Sequence, residues 1–179
     1  QTLYNQPVEI IEKRDGWLKV KVSDGYTGWV AQNEYTGIRP FNLTINKYKY
    51  RIVVTDKTKK VLFQTGETIR EVYMGTELYG REKVDGKYAV DLPDGSEGWI
   101  GADGVKELAV NNHIPVTTVN EFIGTVRKFM DTPYLWGGVS GEGIDCSGLT
   151  YISSRVSGVD LPRDAQPQFE SEIGSVVQL

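Results

Sequence analysis

Cysteine is almost missing from this sequence. Cys146 stands alone among 179 residues, so no disulfide can form within the chain and the redox compartment stays open. Histidine is as scarce: His113 is the only one, which leaves few candidates for a metal site or a neutral-pH base. There is no methionine at position 1, and Gln1 opens no signal-peptide pattern, so the sequence reads as a processed chain or a fragment. No apolar run approaches the roughly 20 residues that span a bilayer. An excess of positive charge is also lacking. The net charge is −4, which implies neither a nucleic-acid partner nor an anionic membrane surface. No cofactor and no metal are expected.

Glycine, by contrast, is plentiful at 20 residues, and 39% of the chain is hydrophobic, which suits packed cores built from short strands and many turns. The length allows one large domain or two to three small ones. The first two thirds holds an internal repeat. Asp15-Gly16 and Asp24-Gly25-Tyr26-Thr27-Gly28-Trp29-Val30 recur as Asp85-Gly86 and Asp94-Gly95-Ser96-Glu97-Gly98-Trp99-Ile100, always 70 residues on. Between the Asp-Gly pairs, Leu18–Val22 and Tyr88–Leu92 alternate in polarity, the pattern of short antiparallel strands in a small barrel. Trp29 and Trp99 are expected in the barrel cores, because aromatics bury large areas.

The second copy has an apolar, strand-rich lead-in from Tyr50 to Val72. The same offset puts its counterpart almost wholly before Gln1, so the first copy is expected to lack about 20 residues. A smaller first domain is the alternative. Pro40 and Asn42 mark an irregular connection between the copies, and Ala109 to Thr117, which holds His113, reads as a second linker.

Thr118 and Glu121 have capping-box spacing at the start of a helix. Phe122, Ile123, Val126, Phe129 and Met130 give it an apolar stripe expected to be core, and Asp131-Thr132-Pro133 is expected to end it. A glycine-rich loop follows, and Cys146 then opens a helical segment running to about Val156. Leu149, Ile152 and Val156 form its buried face, and Gly158 is a stop signal. Ala165 to Ile173 reads as a further short helix. A cysteine at a helix start meets free backbone N–H groups and the positive dipole end, which favour the thiolate. The other reading of a lone cysteine is a small buried hydrophobe.

Three blocks choose between these readings: Tyr134-Leu135-Trp136-Gly137-Gly138, Asp145-Cys146-Ser147-Gly148 and Leu161-Pro162-Arg163-Asp164. In order and spacing they resemble the start of the NlpC/P60 family of cell-wall cysteine peptidases, over roughly Thr118 to Leu179. The Asp-Gly-x-x-Gly-Trp signature resembles the bacterial SH3-like domain. Together they look most like the YkfC-like branch. The resemblance implies a multidomain chain: a first SH3-like barrel at 1–37, a linker at 38–49, a second barrel at 50–108, a linker at 109–117, and at 118–179 the helical N-terminal part of an α+β papain-like peptidase domain. It implies Cys146 as nucleophile and hydrolysis of peptidoglycan stem peptides at the γ-D-glutamyl–L-diamino-acid bond. Asp145 and Tyr134, with Ser147, would hold the free amine of an N-terminal L-Ala. Tyr26, where the second copy has Ser96, would close over that amine; an ordinary turn tyrosine is the alternative. Trp136 either walls the pocket or packs. Arg163 and Asp164 either shape their loop or contact substrate. Where relatives often have serine, this chain has Ala165, which leaves one substrate hydrogen bond in doubt.

In this family the catalytic histidine follows the cysteine. None follows Cys146 here, and His113 lies 33 residues before it. The chain as given is therefore expected to be inactive. It is also expected to be a monomer, and extracytoplasmic or wall-associated rather than cytoplasmic. A wall-binding protein with a degenerate peptidase domain, or an amidase on the same scaffold, are the alternatives.

Overall fold

A computed structural model describes residues 1–34, 45–171 and 173. The repeat sets the first two sheets. Strands β1 (Glu9–Arg14), β2 (Trp17–Lys21) and β3 (Thr27–Ala31) form an antiparallel sheet in chain order. Strands β4 (Tyr50–Val54), β5 (Thr58–Leu62), β6 (Thr68–Tyr73), β7 (Glu77–Val84), β8 (Lys87–Asp91), β9 (Glu97–Gly101) and β10 (Val105–Leu108) form a seven-stranded sheet ordered β10-β4-β7-β8-β9-β5-β6. Asp15-Gly16 and Asp85-Gly86 are two-residue hairpin loops with positive φ at both positions, which is why Asp-Gly is favoured there. Equivalent carbonyls then receive equivalent amides: Gln32 N–H donates to Gly16 O, and Ala102 N–H to Gly86 O, both at 2.8 Å.

The tryptophans correct one expectation. Trp29 is 43% exposed and Trp99 only half-buried. Side chains alternate across a strand. In β9 the inward positions belong to Gly98 and Ile100, so Trp99 falls on the opposite face. In β3 the same parity puts Trp29 opposite Lys19. The second copy's core is instead Ile52, Val54, Val61, Val72, Leu78, Tyr88, Val90, Leu92 and Ile100.

The expected linker at 38–49 lies mostly outside the described residues; Ile45–Lys47 forms a single 3-10 turn. Helix α1 (Val119–Arg127) begins at the Thr118–Glu121 capping box, with both reciprocal bonds present. It ends at Arg127, before the Asp131-Thr132-Pro133 stop, through a turn in which Asp131 has φ +66°. The apolar stripe is core only in part. Phe129 is buried, Phe122 and Val126 are half-buried, and Ile123 and Met130 are exposed. No residue within α1 itself is buried, because only one edge of the helix faces the rest of the described chain.

A two-stranded ribbon, β11 (Val139–Ser140) and β12 (Gly143–Ile144), leads into α2 (Cys146–Val156), and α3 (Ala165–Glu170) follows. Gly158, at φ +83°, closes α2: its N–H donates to Arg155 O, and Val159 N–H to Ser154 O, the paired bonds of a Schellman end. Ile152 and Val156 pack α2 against Leu3, Val53, Met74 and Leu108. Charge reinforces this contact. Glu77 of β7 binds Arg51 through both oxygens (2.7 and 2.8 Å) and Arg155 of α2 at 2.9 Å. Burial alone would raise the Glu77 carboxyl, but the two guanidinium groups outweigh it and hold it below its usual range. The helix that bears Cys146 is thus fixed on the back of the seven-stranded sheet.

Candidate active site

Cys146 is the first residue of α2 and is exposed. The first intrahelical bond at this end is Leu149 N–H to Asp145 O, at 2.9 Å, so the Cys146 and Ser147 amides precede the ladder. The sulfur faces an open depression of about 500 Å³ whose far wall is apolar: Val159, Leu161, Ala165, Phe169 and Ile173. A thiol at a helix head, open to solvent and beside a cleft, can act as a nucleophile.

The sequence reading gave Asp145 the task of binding an amine. The structure gives its carboxylate other partners. Oδ1 accepts from Gly148 N–H at 2.7 Å and Ser147 Oγ–H at 3.3 Å, so Asp145 is the N-cap of α2. Oδ2 accepts from Gly137 N–H at 2.7 Å and from Arg163 Nη2 at 2.8 Å. Burial would raise this carboxyl; the Arg163 bond and the Gly148 and Gly137 amides outweigh it and hold it below the usual carboxylate range. Arg163 is buried and also donates to Ser147 Oγ (2.9 Å) and Gly138 O (3.1 Å). Asp164 is only 3.9 Å from it and exposed, so the main ion pair of Arg163 is with Asp145.

Close approach explains the glycines. A Cβ on Gly138 would strike the carbonyl of Gly143, and one on Gly148 would strike the carbonyl of Gly138. The loop and the first turn of α2 therefore touch backbone to backbone.

Tyr26 reaches this cluster from the first sheet, with the Arg163 guanidinium 5.9 Å from its ring centre. Tyr134 is exposed and bridges to Ile144, next to Asp145. Trp136 is 87% exposed, so it is not core among the described residues. His113 is exposed in the segment between β10 and α1. The sequence reading missed Gln168. Its Nε2 donates to Ser147 O and Pro162 O, both at 2.9 Å, and straps α3 to the first turn of α2. A glutamine inside a short helix carries no local sign of that role.

Residues 131–178 match the NlpC/P60 family, and residues 1–34 match the bacterial dipeptidyl-peptidase Sh3 domain. The chain is similar to a gamma-D-glutamyl-L-lysine dipeptidyl-peptidase of Bacillus cereus, 30% identical over 94% of this chain and 53% of that protein. A protein of the same name from Bacillus subtilis is 26% identical over 97% of this chain and 58% of its own length. The chain thus spans little more than half of these relatives. The crystal structure of an NlpC/P60 family protein from Bacillus cereus superposes with a TM-score of 0.86 at 28% identity, over 98% of this chain and 60% of that one. The chain thus carries SH3-like β units followed by an NlpC/P60 fold, with Cys146 at the head of a helix inside the stretch, residues 131–178, that matches the NlpC/P60 family.

Proposed function

We propose that the protein is a cysteine endopeptidase of peptidoglycan stem peptides, cleaving the γ-D-glutamyl–L-diamino-acid bond of peptides with a free N-terminal L-Ala. The observation that carries this reading is the exposed Cys146 at the head of α2, next in the chain to the Asp145 that pairs with Arg163 and lining an apolar depression. The names of the Bacillus relatives support the substrate class.

In this reading the Cys146 thiolate attacks the γ-carbonyl carbon. The negative charge moves to the carbonyl oxygen, where the Cys146 amide donates a hydrogen bond. Collapse breaks the C–N bond, and the diamino acid leaves as an amine after taking a proton. Water then attacks the thioester, releasing L-Ala-γ-D-Glu and restoring the thiol. Tyr134 and Ser147 contact the peptide near its amine, Tyr26 limits its length on that side, and Trp136 walls the approach. Asp145 holds the amine only by sharing an oxygen already bonded to protein donors. The site works outside the cytoplasm, at the wall.

The proton acceptor is a histidine beyond Cys146, as the family resemblance implies, and His113 does not serve. The test uses the protein at its natural length with L-Ala-γ-D-Glu-L-Lys and its N-acetylated form. Mass analysis is expected to find L-Ala-γ-D-Glu from the free peptide and at least about tenfold less from the blocked one. Cleavage at another bond, or equal cleavage of both peptides, contradicts the reading.

A further inference from the structure

A carboxylate one residue from a nucleophilic sulfur opposes its ionisation, because like charges repel. Asp145 nevertheless occupies that position, because it caps the helix that presents Cys146. Among the described residues its ion-pair partner is Arg163. Arg163 binds Asp145 Oδ2 at 2.8 Å, with the two side chains only 6% and 9% exposed. The same guanidinium donates to Ser147 Oγ on α2 and to Gly138 O in the glycine loop. Three acceptors, two at the head of α2 and one in the glycine loop, need two nitrogens fixed in one plane, which lysine cannot offer.

We propose that Arg163 is a positioning residue for Cys146: it cancels the charge of Asp145 beside the sulfur and locks the glycine loop and the nucleophile helix in register. The assignment rests on Cys146 acting as a nucleophile, and it gives a role to a residue that touches no reacting atom. Few other charges face this pair. Asp164 is exposed and 3.9 Å from Arg163. The α-amine of Gln1 donates to Gly137 O at 2.9 Å. The Tyr26 ring lies 5.9 Å from the guanidinium. Among the described residues, none that lines the depression is charged. These groups stay constant across the variants, so differences between variants report the pair.

Cys146 is the only cysteine, so alkylation by iodoacetamide reads its reactivity in the 179-residue chain without any need for turnover. The rate is followed from about pH 5 to about pH 10, with melting temperature alongside, for wild type, Arg163→Gln, Arg163→Lys, Asp145→Asn and the Asp145→Asn/Arg163→Gln double variant. Asparagine caps a helix about as well as aspartate, so Asp145→Asn removes charge and keeps the cap. Arg163→Gln is expected to move the pH–rate profile up by about one unit, slowing alkylation near neutrality about tenfold. Asp145→Asn should move it down, and the double variant should return it to within about 0.3 unit of wild type. Arg163→Lys should keep the profile near wild type while the melting temperature falls. An unmoved profile in Arg163→Gln overturns the proposal. So does a double variant as displaced as Arg163→Gln, since lost geometry alone would then explain the effect. If Arg163→Gln does not fold, Asp145→Asn decides the matter: a profile that fails to move down overturns the proposal. Hydrolysis is not measured, so a failed peptidase assay and a failed charge assignment remain separate results.

Discussion

The two repeats build the same turn and use it differently. In the first, Tyr26 N–H donates to Asp24 Oδ1 and Val22 N–H to Tyr26 O. In the second, Ser96 N–H donates to Asp94 Oδ1 and Leu92 N–H to Ser96 O, at matching distances. The aspartate and glycine fix the backbone, so the third side chain is free of structural duty. Ser96 folds its hydroxyl back onto Asp94. Tyr26 instead extends to Arg163, 137 residues along the chain. The same backbone turn thus carries a side chain that stays local in one copy and one that reaches a distant guanidinium in the other.

The largest effect is expected at the site itself, where the glycine loop meets α2. Gly148→Ala would drive a methyl into the Gly138 carbonyl, a backbone group that cannot swing away. Urea unfolding should show a loss of about 1–3 kcal/mol, and alkylation of Cys146 should slow; an unchanged midpoint would mean that the loop and α2 are not in contact. Next come the hairpins. Gly16→Ala and Gly86→Ala each force a side chain onto positive φ (+81° and +72°) and should each lower stability by about 1–2 kcal/mol. A wide disparity between the two would break the equivalence of the repeats.

Exchanging the divergent position sharpens the comparison further. Tyr26→Ser should let N-acetylated stem peptides compete with free ones in the natural-length protein. Ser96→Tyr should leave selectivity alone and shift stability by no more than about 0.5 kcal/mol. Unchanged selectivity in Tyr26→Ser would reduce Tyr26 to an ordinary turn residue. The smallest effect concerns acid. The Asp145 carboxyl is held below its usual range, so its contribution is complete above the unfolded value near about 4 and is lost as pH falls through the lower folded value. The stability gap between wild type and Asp145→Asn should be level from about pH 6 to about pH 5 and shrink below about pH 4. A gap that persists undiminished in acid would detach Asp145 from its ion pair.

Much of this was legible because it is local. Asp-Gly pairs specify hairpins, Thr118 with Glu121 specifies a capping box, and Leu149, Ile152 and Val156 trace the face of α2. The end of α2 at Gly158 followed from the glycine alone. What escaped depends on facing and distance. Trp29 and Trp99 looked like core by size, but Gly-Trp-Val and Gly-Trp-Ile alternate so that the flanking residues face inward. The N-cap and ion-pair roles of Asp145 escaped because its cap partner is a backbone amide and its ion-pair partner lies 18 residues on. Gln168 and the Arg51–Glu77–Arg155 cluster join segments that no spacing rule connects.

The most direct test of the account is the fate of the sulfur during reaction. The natural-length protein is mixed with L-Ala-γ-D-Glu-L-Lys, quenched in acid and digested, and the peptide containing Cys146 is weighed. The account predicts an L-Ala-γ-D-Glu thioester on that peptide and no product from Cys146→Ala. Stem-peptide cleavage that survives Cys146→Ala would contradict it.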